Sequence, residues 1–145
     1  SNGHMERGHE EEPVARMLYE DMYFTTVDNG GFFDNGKTGC SPDGLVGNDG
    51  MVEIKSVIPT VHYPTVKRGS FDPKYKWQFF FNLRESNREW LDFVSYCSAY
   101  PEDNRLYVCR IEKRSIGKEL GMIEARLSEF EGLISNISND IKGNA

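Results

Sequence analysis

Apolar residues recur along this chain with two periods, and the change of period marks its elements. From Glu6 to about Thr26, Val14, Met17, Leu18 and Met22 recur at helical spacing. Glu6, Glu10, Glu11 and Glu12 crowd the start of that helix, where negative charge suits the macrodipole. Pro13 either occupies the first turn or kinks a longer helix by removing a backbone donor. Asp28-Asn29-Gly30-Gly31 is a turn, after which Phe32 and Phe33 lead through Asn35-Gly36 into a strand carrying Thr38 to Cys40. A period of two then takes over. Leu45-Val46 and Met51 to Val57 read as strands joined by Gly47-Asn48-Asp49-Gly50, a hairpin signal.

Ile58 to Ser70 reads as irregular or weakly helical. Asp72-Pro73 then starts a helix, with aspartate as cap and proline at the first helical position, running to about Ser86. Tyr75, Gln78 and Asn82 share one polar stripe of that helix, and Phe80, Phe81 and Leu83 read as its core face. Glu89 to Ser98 and Leu106 to Ile111 look like two more strands. Ile116, Leu120, Ile123, Leu127, Phe130, Ile134, Ile137 and Ile141 alternate spacings of four and three, which predicts one long amphipathic helix. Packing across the sheet is the first reading of that helix, and a heptad seam for self-association is the second. The order predicts an α/β sandwich around a mixed sheet.

Composition narrows the class without fixing a function. The 145 residues suit one domain with a modest core, and residues 6–145 read as that domain, residues 1–5 having the look of a cloning scar. No apolar run approaches a membrane span and no signal peptide is visible. Three separated cysteines suit reduced thiols in a cytoplasmic setting and are too few for a four-cysteine metal site. The net charge of −6 argues against nucleic-acid binding by bulk charge, but metal ligands are acids and a bound cation reverses the local field.

The chemistry concentrates at Cys40-Ser41-Pro42-Asp43-Gly44 and Met51-Val52-Glu53-Ile54-Lys55. On a strand, Glu53 and Lys55 share one face while Val52 and Ile54 point to a core on the other. Asp43 brought beside them would complete a hard-oxygen site for Mg²⁺ next to a lysine, the pattern of a metal-dependent phosphodiester hydrolase. A two-residue loop at Asn48-Asp49 would instead set Asp43 opposite Ile54, on the core face. The catalytic reading therefore predicts a one-residue shift, from a bulge or an odd-length loop.

Arg7-Gly8-His9-Glu10-Glu11-Glu12-Pro13-Val14-Ala15-Arg16, Cys40-Ser41-Pro42-Asp43-Gly44-Leu45, Glu53-Ile54-Lys55 and Tyr75-Lys76-Trp77-Gln78 resemble, in order and spacing, the lambda-exonuclease or YqaJ-type viral recombinase family of PD-(D/E)XK nucleases. The Ser-Pro-Asp-Gly-Leu run and the Tyr-x-x-Gln helix are fairly specific to this branch; the short Pro-Asp…Glu-x-Lys pattern alone is degenerate. The resemblance implies a restriction-endonuclease-like core, a mixed central sheet flanked by helices. It implies Asp43, Glu53, the Ile54 carbonyl and Glu12 as metal ligands, with Lys55 orienting or deprotonating the attacking water. Gln78 and Tyr75 would support the lysine and substrate, and Ser41 would touch a phosphate. Lys67, Arg68, Lys74 and Lys76, by charge, are candidate DNA contacts. His9 reads as a surface histidine. Lambda-type members carry a further N-terminal portion that helps grip the DNA end and 5′-phosphate, whereas this sequence begins almost at the acidic helix.

The expectation is a Mg²⁺-dependent deoxyribonuclease, Mn²⁺ substituting, acting as a phage-type 5′→3′ exonuclease on linear double-stranded DNA in recombination. The resemblance adds a single-strand annealing protein as partner, a homotrimer, and a phage- or prophage-encoded protein in bacterial cytoplasm. An endonuclease of the same fold, or a module that only binds DNA or a partner, fits the same residues.

Overall fold

A computed structural model describes residues 2–143, which fall into two compact units, one through Ser115 and one from Ile116. The first unit opens with α1 (Asn2–Tyr23), which runs unbroken through Pro13. Five strands form its mixed sheet: β1 (Asp28–Asn29), β4 (Gly44–Val46), β5 (Gly50–Ser56), β6 (Trp90–Tyr96) and β7 (Leu106–Glu112), in the spatial order β1-β4-β5-β6-β7. A separate two-stranded ribbon pairs β2 (Phe33–Asp34) with β3 (Gly39–Cys40). Among the described residues only β5 and β6 pair in parallel. A parallel pair needs a long crossover, and here it carries α2 (Pro59–Arg68) and α3 (Lys76–Ser86).

The segment read as weakly helical is thus a regular helix, α2. Pro59 sits in its first turn, and Gly69 ends it at φ 72° with its N–H on the carbonyls of Thr65 and Val66. Pro64 and the β-branched residues hide this helix from a propensity reading. His62 anchors it: the ring is fully buried, with Nδ1 2.9 Å from Ser95 Oγ and Nε2 2.9 Å from the Asn104 carbonyl. A carbonyl only accepts, so Nε2 carries the proton and Nδ1 accepts from the serine hydroxyl. Before α3, Asp72 caps a 3-10 turn, Pro73–Tyr75, by accepting from the Lys74 N–H at 3.0 Å.

Alternation along β5 sorts the two faces of the sheet. Val52 and Ile54 join Ala15, Tyr19, Val27, Val94 and Tyr96 in a core beneath α1. The opposite face, which carries Glu53 and Lys55, is met by Asn82 of α3, and Glu53 is only 3% exposed. The apolar residues that announced α1 are not its buried face. Val14, Met17, Leu18 and Met22 are exposed, while Ala15 and Tyr19 pack on the sheet. Tyr19 brings a polar tip: its hydroxyl donates to Asp92 Oδ2 at 2.5 Å, and Arg110 bridges both Asp92 oxygens at 2.8 and 3.0 Å. Tyr19→Phe should therefore lower unfolding stability by about 1.5–3 kcal/mol in a urea titration, since the lost bond serves a buried charged acceptor.

On α3, Phe80 and Leu83 are buried as expected, but Phe79 takes the core place expected of Phe81, which is half-buried. The second unit is essentially α4 (Gly117–Gly143). Along its four-three seam Ile123 is buried and Leu127 half-buried, while Phe130, Ile134, Ile137 and Ile141 are exposed.

Candidate active site

The hairpin register decides whether Asp43 and Glu53 can meet. Gly44 pairs with Val52, Leu45 with Met51 and Val46 with Gly50. The loop is three residues, 47–49, rather than two, and Gly47 takes the left-handed conformation at φ 54°. This odd length supplies the one-residue shift that the catalytic reading requires, and it sets Asp43 across from Glu53 instead of Ile54. The Pro42-Asp43 bend is held from outside by Gly30, where a Cβ would lie 1.7 Å from the Pro42 carbonyl oxygen. Only glycine permits that approach.

Asp43 Oδ2 accepts from the Ile54 N–H at 2.8 Å, which locks its side chain onto β5. Glu53 lies in hydrogen-bonding contact with Asp43, and Asn82 Nδ2 donates to Glu53 Oε1 at 3.0 Å. Burial first, then the charge and hydrogen bond of Asp43, hold the Glu53 carboxyl well above the usual carboxylate range; Lys55 and Asn82 pull it down without overcoming them. Two carboxylates in contact at a buried point need either a proton or a cation between them. Burial also pushes the nearby Cys40 thiol up to about 11, with Glu85 and Glu53 adding to the effect, so this cysteine stays protonated.

Lys55 shares the Glu53 side of β5, and its Nζ lies 5.1 Å from the centroid of the Tyr75 ring. Tyr75 in turn stacks on Phe79. Glu12, half-buried, pairs with Arg16 Nη2 at 3.3 Å, and the same nitrogen approaches the Asp43 carbonyl at 3.5 Å. Glu12 and Ile54 line one cleft of about 200 Å³ together with His9 and Ser56. The fold therefore brings Asp43 and Glu53 together with Lys55 against Tyr75, while Glu12 lines a cleft with Ile54 and, among the described residues, reaches Asp43 only through Arg16.

The other predicted residues stand apart. Gln78 is exposed and, among the described residues, makes no hydrogen bond with the carboxylates or the lysine. Ser41 Oγ donates to the Gly31 carbonyl at 2.9 Å within its own loop. Lys67 and Arg68 are exposed in the last turn of α2, with Lys67 over the Tyr63 ring. Two residues were missed. Arg16 bridges Glu12, Asn29 and Asp43, and its i+4 spacing from Glu12 was the available signal. Asn82 was placed on the right stripe but given no task.

Fold and register together define a PD-(D/E)XK-like nuclease core. The profile of the YqaJ-like viral recombinase domain matches residues 1–89, and the chain belongs to that family. Among solved structures it is similar to an alkaline exonuclease of Laribacter hongkongensis, at 34% identity and TM-score 0.78, covering 100% of this chain and 77% of that one. The same enzyme in complex with dAMP gives 35% identity and TM-score 0.79 over equal shares. A phage-related exonuclease from Haemophilus somnus shares the fold at 15% identity and TM-score 0.63, over 92% of this chain and 73% of that one. No curated protein sequence matches the chain.

Proposed function

We propose that this exonuclease-family chain hydrolyses phosphodiester bonds of linear double-stranded DNA from its ends, in a recombination setting. The observation that carries the reading is the three-residue hairpin loop, because it brings Asp43 to Glu53 with Lys55 on the same face of β5. The donor set suits Mg²⁺ or Mn²⁺. Among the described residues no three His, Cys, Asp or Glu side chains gather about one point. Magnesium accepts such a site, because it is held by one or two carboxylates and fills its shell with water and phosphate. Asp43 and Glu53 would hold the cation, with the Ile54 carbonyl and Glu12 adjoining. When bound, the cation would polarise the scissile phosphate and lower the pKa of an attacking water.

Lys55, set against the Tyr75 ring, orients that water or takes its proton. Gln78, exposed on α3, serves the substrate in this reading rather than the lysine. Ser41, Lys67 and Arg68 contribute phosphate contacts from exposed positions. A single-strand annealing protein as partner and a trimeric assembly rest on resemblance to the family. The exposed half of the α4 seam supports self-association.

The test compares linear 5′-phosphorylated duplex with closed circular DNA, in Mg²⁺ or EDTA. Metal-dependent loss of the linear DNA alone is the expected result. Cutting of the circle would replace this reading with an endonuclease, and no cutting of either DNA would favour a binding role.

A further inference from the structure

Asn82 lies one turn beyond Gln78 on α3 and is buried among the groups that face β5. Its amide donates to Oε1 of Glu53 at 3.0 Å, and its backbone carbonyl accepts from the Cys40 thiol at 3.7 Å. A glutamate side chain has three rotatable bonds, so burial alone does not set where its oxygens point. A donor fixed to one oxygen does. The donor must also be neutral, because a lysine or arginine there would repel a cation at the same carboxylate.

The helix that carries Asn82 is itself clamped one turn later. Glu85 Oε2 accepts from Asn35 Nδ2 at 2.6 Å, and the same Nδ2 donates to the Glu85 carbonyl at 2.9 Å. Arg84 reaches Thr38 Oγ1 at 3.2 Å. These bonds tie α3 to the β2–β3 ribbon beside Cys40, and the amide therefore reaches Glu53 from a rigid base. Such support behind a ligand commonly changes metal affinity by about 10–100-fold when removed.

We propose that Asn82 is a positioning residue for the divalent cation, holding the Glu53 carboxylate turned so that it and Asp43 receive the metal together. This rests on the metal reading above. Asn82 touches neither substrate nor cation; it acts through Glu53.

Calorimetric titration of Mn²⁺ into the full chain without DNA tests it, with Asn82→Leu keeping the volume and Asn82→Ala removing it. Both variants should bind Mn²⁺ about 10–100-fold more weakly while still folding cooperatively in EDTA, with a Tm lowered by the lost buried hydrogen bond. The cleavage rate of Asn82→Leu should recover as Mn²⁺ is raised, which a purely structural defect would not do. Binding by Asn82→Leu within twofold of the parent overturns the proposal, since the side chain would then only fill space. Should that variant fail to fold, Asn82→Ala decides alone by the same threshold. Asp43→Asn is the control for the metal site. If the parent itself binds no Mn²⁺, the metal reading falls and this proposal with it; if the parent binds and the variants match it, only the proposal falls.

Discussion

Lys55→Ala should slow hydrolysis of linear duplex by about 10²–10⁴-fold, the range typical of a lost proton-transfer group, while Mn²⁺ still binds. The lysine is two residues from Glu53 on one face of β5, and its ammonium is held over Tyr75 at 5.1 Å. It therefore lies beside the proposed cation site without being one of its ligands. Its charge also lowers the proton affinity of Glu53. Removing it should change Mn²⁺ binding by only a small factor, because the lost ammonium raises the proton affinity of Glu53 but also ceases to repel the cation. Rate and binding are thus separable, with the first falling by orders of magnitude and the second by a small factor. Lys55→Arg restores charge but not ready proton transfer, because guanidinium stays protonated at any working pH. It should bind Mn²⁺ much as the parent does and leave most of the rate lost. A rate within tenfold of the parent for Lys55→Ala would remove the lysine from the mechanism.

What the sequence made legible was the alternation on β5, the cap at Asp72-Pro73 and the order of the strands, each written in neighbouring residues. The register across the hairpin was legible only as a condition. Gly47-Asn48-Asp49-Gly50 suits a two- or a three-residue loop, and the choice turns on the whole ladder. The α1 face misled because apolar spacing marks a helix without saying which stripe is covered. Ala15 and Tyr19 won the sheet because a small residue permits close approach and the tyrosine reaches buried Asp92. Helix α2 was hidden by two prolines and β-branched residues, and its anchor is a tertiary one, His62 to Ser95 and Asn104. Asn82 was unreadable for a related reason: an amide on a polar stripe gains meaning only from the carboxylate it meets.

The pair of carboxylates carries the second large expectation, and its sign follows from burial. Without metal, desolvation and then Asp43 push the Glu53 carboxyl up to about 8, well above a free carboxylate. The folded state then holds a proton between about pH 5 and 8 that the unfolded chain has released. Stability attached to that proton is full below the unfolded pKa and lost as pH rises through the folded one. Metal-free unfolding free energy should thus fall across this window, by at most about 1.4 kcal/mol per pH unit. Glu53→Gln should flatten the slope, since a neutral amide has no proton to lose, and should weaken Mn²⁺ binding at least about 100-fold. With metal the trend reverses. Binding must expel the Glu53 proton, so affinity rises with pH until about 8 and then levels. Titration in two buffers of different ionisation enthalpy counts that proton: near one released at pH 6.5, near none above pH 9. Finding no proton released at pH 6.5, or a stability slope unchanged in Glu53→Gln, would place the cation elsewhere than between Asp43 and Glu53.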